Sequence, residues 1–135
     1  MMKRAMILAV DDSTANLTLC RGLLSEEFDV RLAKSGKMAL AALCNLCPDV
    51  ILLDIEMPDM SGFEVMDAIK ANPELKDIPV IFVTSHATEK LVIKAVEYGA
   101  TSYIVKPFTA DILREKIRLA IKTNDVGQCC AGNTK

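Results

Sequence analysis

Three stretches of the chain run apolar without interruption and then stop at a polar side chain. Ala5-Met6-Ile7-Leu8-Ala9-Val10 meets Asp11-Asp12, Val50-Ile51-Leu52-Leu53 meets Asp54, and Val80-Ile81-Phe82-Val83 meets Thr84. Short continuous runs with β-branched residues predict strands covered on both faces, as in the interior of a parallel sheet. Ser102-Tyr103-Ile104-Val105 predicts a further strand, ending at Lys106-Pro107-Phe108. Asp29-Val30-Arg31-Leu32-Ala33 instead alternates polar with apolar, which predicts a strand with one wetter face at a sheet edge.

Between these strands the period becomes helical. Ser13 is a good N-cap for a helix reaching about Ser25, with Leu17, Cys20 and Leu24 inside and Leu19 and Leu23 beside them. Ser35 to about Leu46, rich in Ala and Leu, predicts a second helix that leads through Pro48 into the central strand. Phe63 to Ala71 carries Phe63, Met66 and Ile69 at helical spacing, with Val65 widening the stripe and Asn72-Pro73 stopping it. Lys90 to Tyr98 predicts a short helix broken at Gly99. Thr109 can cap the last helix, whose inner stripe is Leu113, Ile117, Ala120 and Ile121.

Strand and helix thus alternate five times. A parallel sheet needs crossovers, each right-handed and each covering the sheet with a helix, so the class is α/β, doubly wound. With the second strand at the edge, the order 2-1-3-4-5 sets strands one and three side by side where the winding reverses. Ligands of such sheets bind at the carboxyl ends of the strands flanking that point. The 135 residues have room for one core, assigned here to residues 1–123. Residues 124–135 are small, polar and aperiodic and read as a flexible C-terminal tail.

Composition narrows the classes of function without naming one. With 51% hydrophobic residues, 25% charged and a net charge of −2, the chain offers no electrostatic reason to expect direct binding to nucleic acid or to a membrane. The run from Ala5 to Val10 is too short for a membrane span or a signal segment, so the expected location is the cytoplasm. Five cysteines are an odd number, and a core of this size needs no disulfide framework, so reduced thiols are expected. Cys44 and Cys47 have a C-x-x-C spacing and Cys129-Cys130 lie near the end; a four-sulfur zinc site is disfavoured because the first pair falls on a helix and its end.

The strand endings carry the chemistry. Asp11 and Asp12 follow strand one, Asp54 ends strand three, Thr84 ends strand four and Lys106 ends strand five, all on one edge of the sheet. Taken alone, Asp54 reads equally well as a cap for the next helix. Three carboxylates at neighbouring strand ends repel one another unless a cation joins them. An oxygen-only set of this kind suits Mg²⁺, which keeps several waters and commonly shares its sphere with phosphate oxygens. Lys106 supplies a compact positive charge and Thr84 a hydroxyl donor, and Asp54 is the carboxylate expected to have both within reach. Such a group accepts a phosphoryl by positioning and charge neutralisation.

At these residues the chain resembles the receiver domain of bacterial two-component response regulators. The match covers roughly residues 4 to 123 and rests on Val10-Asp11-Asp12, Leu53-Asp54-Ile55-Glu56-Met57-Pro58 with Gly62, Val83-Thr84-Ser85, and Tyr103-Ile104-Val105-Lys106-Pro107-Phe108, in the family's order. The resemblance implies a flavodoxin-like receiver fold and a phosphorelay role, with Asp54 taking a phosphoryl group from a sensor histidine kinase or phosphotransfer protein. It implies Mg²⁺ held by Asp11, Asp12, Asp54 and the Glu56 backbone carbonyl, with Lys106 pairing with the phosphoryl group. Thr84 and Tyr103 would be the switch pair, Glu56 and His86 would tune hydrolysis, and Lys106-Pro107 would be cis. Output would pass through helix four, strand five and helix five, a surface that also offers a route to a homodimer. Such a domain is a signalling phosphoacceptor, with self-phosphorylation and self-dephosphorylation as its only chemistry.

Blander readings stand beside these. Tyr103 on an edge strand is adequately explained as half-buried packing, Met57 and Met60 as loop and core filler, and His86 as a solvated loop residue. A phosphatase of the haloacid dehalogenase type also combines Asp, Thr or Ser, Lys and an acidic pair around Mg²⁺. Its nucleophile lies in an early Asp-x-Asp and its acidic pair comes late, the reverse of the order here. A flavodoxin-like FMN binder needs a Ser/Thr-rich phosphate loop after strand one, and none follows Val10.

Overall fold

The uninterrupted apolar runs form the interior of the sheet. In the computed structural model, which describes residues 4–86 and 88–123, the strands are β1 (Met6–Val10), β2 (Asp29–Ala33), β3 (Val50–Asp54), β4 (Val80–Thr84) and β5 (Ser102–Val105). All pair in parallel in the order β2-β1-β3-β4-β5, so the expected topology holds and β1 and β3 flank the reversal of winding. Every residue of β3 and β4 is buried, whereas β2 at the edge exposes Arg31. Expectations for residues 124–135, Cys129 and Cys130 included, lie outside the described residues.

Successive side chains of a strand point to opposite faces, and the two cores divide accordingly. Leu8, Val10, Ile51, Leu53, Val80 and Phe82 face one layer of helices, α2 (Gly36–Ala42), α3 (Gly62–Ala71) and α4 (Glu89–Glu97). Ile7, Ala9, Val50, Leu52, Ile81 and Val83 face the other, α1 (Thr14–Leu24) and α5 (Ala110–Thr123). The predicted stripes face inward, with Leu17, Cys20 and Leu24 buried in α1 and Leu113, Ile117 and Ala120 in α5, while Ile121 is half-buried. Arg118 of α5 grips Glu27 in the α1–β2 turn through two nitrogens, at 2.8 and 2.6 Å.

Side-chain caps fix the helix starts. The Ser13, Ser35, Ser61 and Thr88 hydroxyls accept from backbone N–H groups of their first turns, and Ser61 and Glu64 close a capping box. One helix is shorter than expected. α2 ends at Ala42 rather than near Leu46, because tight bonds from Cys44 to Ala41 and from Asn45 to Ala42 turn the chain toward Pro48. Cys20 and Cys44 are free thiols, but Cys47 is disulfide-bonded, so the expectation of reduced thiols is corrected there. Among the described residues, no helix is long and apolar enough to cross a membrane.

Candidate functional site

Register brings the strand-terminal polar residues together. Val10 pairs with Leu53, so the next positions, Asp11 and Asp54, emerge side by side at the switch point. Asp54 pairs with Val83 and Thr84 with Val105, which sets Thr84 and then Lys106 on the same edge. The Lys106 N–H donates to the Thr84 carbonyl at 2.8 Å, and the Lys106–Pro107 peptide is cis, as the resemblance implied. Asp11 and Asp54 are buried, Asp12 is exposed, and one carboxylate oxygen of each lies within 4.8 Å of the others.

Lys106 is the cation of this cluster, with Nζ 3.1 Å from Asp11 Oδ2 and 3.4 Å from Asp54 Oδ1. Burial in the first place, and the Asp11 charge in the second, push Asp54 up to about 6, against the opposing pull of Lys106. A buried carboxylate held above its usual range beside two more carboxylates is short of positive charge. The donor set is oxygen-only and closely spaced, so these residues fit a hard divalent cation such as Mg²⁺.

The peptide that follows β3 is held tightly. The Ile55 N–H donates to the Val83 carbonyl at 3.1 Å, and the Gly62 N–H to the Ile55 carbonyl at 2.8 Å. A Cβ on Gly62 would lie 2.5 Å from the Asp54 carbonyl oxygen and 2.8 Å from Ile55 Cα. Only glycine lets the start of α3 close against the backbone that carries Asp54.

Thr84 is buried, and its hydroxyl bonds to the loop that follows it. Its Oγ1 accepts from the His86 N–H at 3.0 Å and donates to the His86 carbonyl at 3.2 Å. Tyr103 is half-buried on the same face of the sheet, its ring 5.6 Å from Lys116 Nζ. A small apolar cavity separates it from Thr84 and is walled by Ile55, Leu91, Val92 and Ala95. His86 is not merely solvated, since its Nδ1 lies 2.8 Å from Glu56 Oε2, bridging the loops after β3 and β4.

Two further groups act on the cluster and escaped the sequence reading. Asp11 accepts the Ser13 N–H on Oδ1 at 2.9 Å and the Asn16 side-chain amide on Oδ2 at 3.2 Å, which fixes its rotamer. The signal was the polar Asn16 on the first turn of α1, facing back toward the strand it follows.

A family model described as the response regulator receiver domain matches residues 7–118. The chain belongs to the response regulator receiver family. It is 35% identical over 122 residues to the chemotaxis protein CheY1 of Helicobacter pylori, a match that covers 88% of this chain and 98% of that protein. It is 38% identical over 116 residues to a probable cyclic di-GMP phosphodiesterase of Vibrio cholerae, covering 86% of this chain but 26% of that protein. Against the signal receiver domain of a putative LuxO repressor protein from Vibrio parahaemolyticus, the TM-score is 0.85 at 30% identity, with 91% of this chain and 94% of that chain covered. The chain spans about a quarter of the length of several curated relatives it matches, the LuxO regulatory proteins among them.

Proposed function

We propose that this receiver takes a phosphoryl group on Asp54 in a two-component phosphorelay. The reading rests on one observation, the buried Asp54 carboxylate held between Lys106 at 3.4 Å and the paired acids Asp11 and Asp12. A carboxylate oxygen of Asp54 attacks the phosphorus of a phosphohistidine on a sensor histidine kinase or phosphotransfer protein. The P–N bond breaks, the imidazole leaves, and an aspartyl phosphate remains. Asp11, Asp12, Asp54 and the Glu56 backbone carbonyl would hold Mg²⁺, which when bound neutralises phosphoryl oxygens that the carboxylates would otherwise repel. Lys106 pairs with the phosphoryl group and thereby releases its grip on Asp11.

The same reading makes the chain a cytoplasmic signalling phosphoacceptor rather than an enzyme with a separate substrate. The activity named for the Vibrio cholerae relative belongs to a protein of which this match covers 26%. Thr84 turns to bond the phosphoryl group and Tyr103 takes up the space behind it, which repositions α4. The face formed by α4, β5 and α5 then meets a partner or a second copy. Ile93, Val96, Val105, Ile112 and Leu119 are exposed there, with Val96 68% exposed, which supports a docking role. Intact-mass spectrometry after incubation with an acyl-phosphate donor tests the acceptor. Label should appear on the wild type with Mg²⁺ and should be lost without the metal or in Asp54→Asn; equal labelling of that variant refutes the assignment.

A further inference from the structure

The Thr84 hydroxyl both donates and accepts in this state, and its partner is a single residue. A hydroxyl has one O–H to donate, and that hydrogen goes to the His86 carbonyl while the oxygen accepts from the His86 N–H. Thr84 therefore bonds a phosphoryl oxygen only by giving up its hydrogen bond to the His86 carbonyl. The side chain of His86 is itself tied, through Nδ1, to Glu56 Oε2 at 2.8 Å across 30 residues of sequence. Glu56 belongs to the loop whose backbone is pinned by Ile55 to Val83 and by Gly62 to Ile55. A fixed loop thus holds the residue that holds the hydroxyl.

We propose that Glu56 is a positioning residue for Thr84, acting through His86 as a latch that keeps the β4–α4 loop in its resting arrangement. The proposal rests on the reading of Asp54 as phosphoacceptor and goes beyond it, because it makes a surface pair part of the switching equilibrium. The pair is exposed, Glu56 and His86 keeping 50% and 67% of their side-chain surface, whereas Thr84 beneath it is 2% exposed. A surface event on either residue is thereby transmitted to a buried hydroxyl. The latch also has a direction. It is made in the resting arrangement, so it opposes switching and lowers the apparent affinity of the site for anything that binds the switched state better.

Two measurements test this. The first uses no ligand: hydrogen exchange of the residue 86 amide, the proton that Thr84 accepts, in the wild type and in Glu56→Ala. The latch predicts faster exchange in the variant, and an unchanged rate overturns it. The second titrates beryllium fluoride with Mg²⁺ as phosphoryl mimic into the wild type, Glu56→Ala, His86→Ala, the double variant and the exchanged pair Glu56→His/His86→Glu. Each single change should tighten apparent binding by about two- to five-fold, the range an exposed polar side-chain pair supplies. The double should tighten it no further, and the exchanged pair should return toward the wild type. If the two changes add and the exchange does not restore, Glu56 acts by local charge alone and the latch is wrong. A wild type that takes up no mimic removes the phosphoacceptor reading, while the ligand-free exchange still decides whether Glu56 holds the His86 peptide.

Discussion

Lys106 Nζ stands 3.1 Å from Asp11 Oδ2, nearer than its 3.4 Å to the proposed acceptor Asp54, although 95 residues separate it from Asp11 in the chain. The ammonium is thus shared between two buried carboxylates and competes with any divalent cation for the same oxygens.

Removing that competitor should have opposite effects on the free and the metal-bound protein. Lys106→Met should destabilise the metal-free fold by about 3 kcal/mol, at the low end for breaking a buried pair because 19% of the Lys106 side chain stays exposed. The same variant should gain more in melting temperature from Mg²⁺ than the wild type does, since binding to the folded state alone is stabilising. Asp12→Ala should gain less. Thermal melts across an Mg²⁺ titration check both, and a smaller metal-dependent gain in Lys106→Met would mean that Lys106 does not compete for the site.

The raised pKa of Asp54 fixes a sign for stability against pH. The carboxyl titrates near 3.8 as a free group and at about 6 in the fold, chiefly because it is buried. Between these values the folded protein holds a proton that the unfolded chain has lost. The contribution is therefore fully present below about pH 4 and is lost as pH rises through 6, an effect on the order of 2–3 kcal/mol. Glu27 and Asp29, lowered by hydrogen bonds from Arg118 and Arg31, work in the opposite sense and lose their stabilisation as pH falls below the free-carboxylate range. The difference between wild type and Asp54→Asn isolates the buried group. That difference should favour the variant increasingly from pH 4 to 7 in chemical denaturation without Mg²⁺, and a flat difference would mean Asp54 is not held protonated by the fold.

The loop after β3 tolerates no side chain at residue 62. Gly62→Ala places a methyl 2.5 Å from the Asp54 carbonyl oxygen, and relieving that overlap should cost about 1–3 kcal/mol. It should also slow labelling of Asp54, because the atoms that must give way are the backbone of Asp54 and Ile55. Gly22→Ala is the matched control. Nothing lies within 4 Å of a Cβ there, on the exposed side of α1, so that change should stabilise by about 0.5–1 kcal/mol and leave labelling alone. Denaturant unfolding together with mass spectrometry separates the two outcomes.

The parts of this molecule that follow from chain order were legible in the sequence. Apolar runs ending at Asp11, Asp54, Thr84 and Lys106 fix the strands, and parallel pairing then forces those endings onto one edge. What depends on loop conformation was not. Thr84 engages the peptide two residues ahead, and Glu56 meets His86 across two loops with no periodic signal. The extent of α2 was overestimated because its Ala and Leu content favours a helix past Ala42, while the approach to β3 requires a tighter turn. α4 leaves apolar surface open, with Leu91, Val92 and Tyr98 half-buried and Val96 exposed. Ile93, unremarked in the sequence, is its exposed neighbour.

α4 is also where a signal from Asp54 can emerge. Ala95 is its one buried residue among those described, and its hold on α3 is the stack of Tyr98 on Phe63, centroids 4.8 Å apart, with Lys94 Nζ 4.4 Å over the Phe63 ring. On the other side, Leu91, Val92 and Ala95 share with Thr84 and Tyr103 the walls of a small cavity, so α4 has room to shift. A helix with few buried apolar contacts lies at the low-stability end of a fold and is the first to respond to a local change. Beryllium fluoride with Mg²⁺ should therefore alter backbone amide exchange across residues 85 to 108, and Tyr103→Ala should weaken that response while the mimic still binds. Replacing Lys94 with Ala, which removes the cation from the aromatic pair, should raise exchange in α4 even without the mimic. Changes confined to the Asp54 pocket, with residues 85 to 108 unaffected, would leave α4 a packed helix with no part in output.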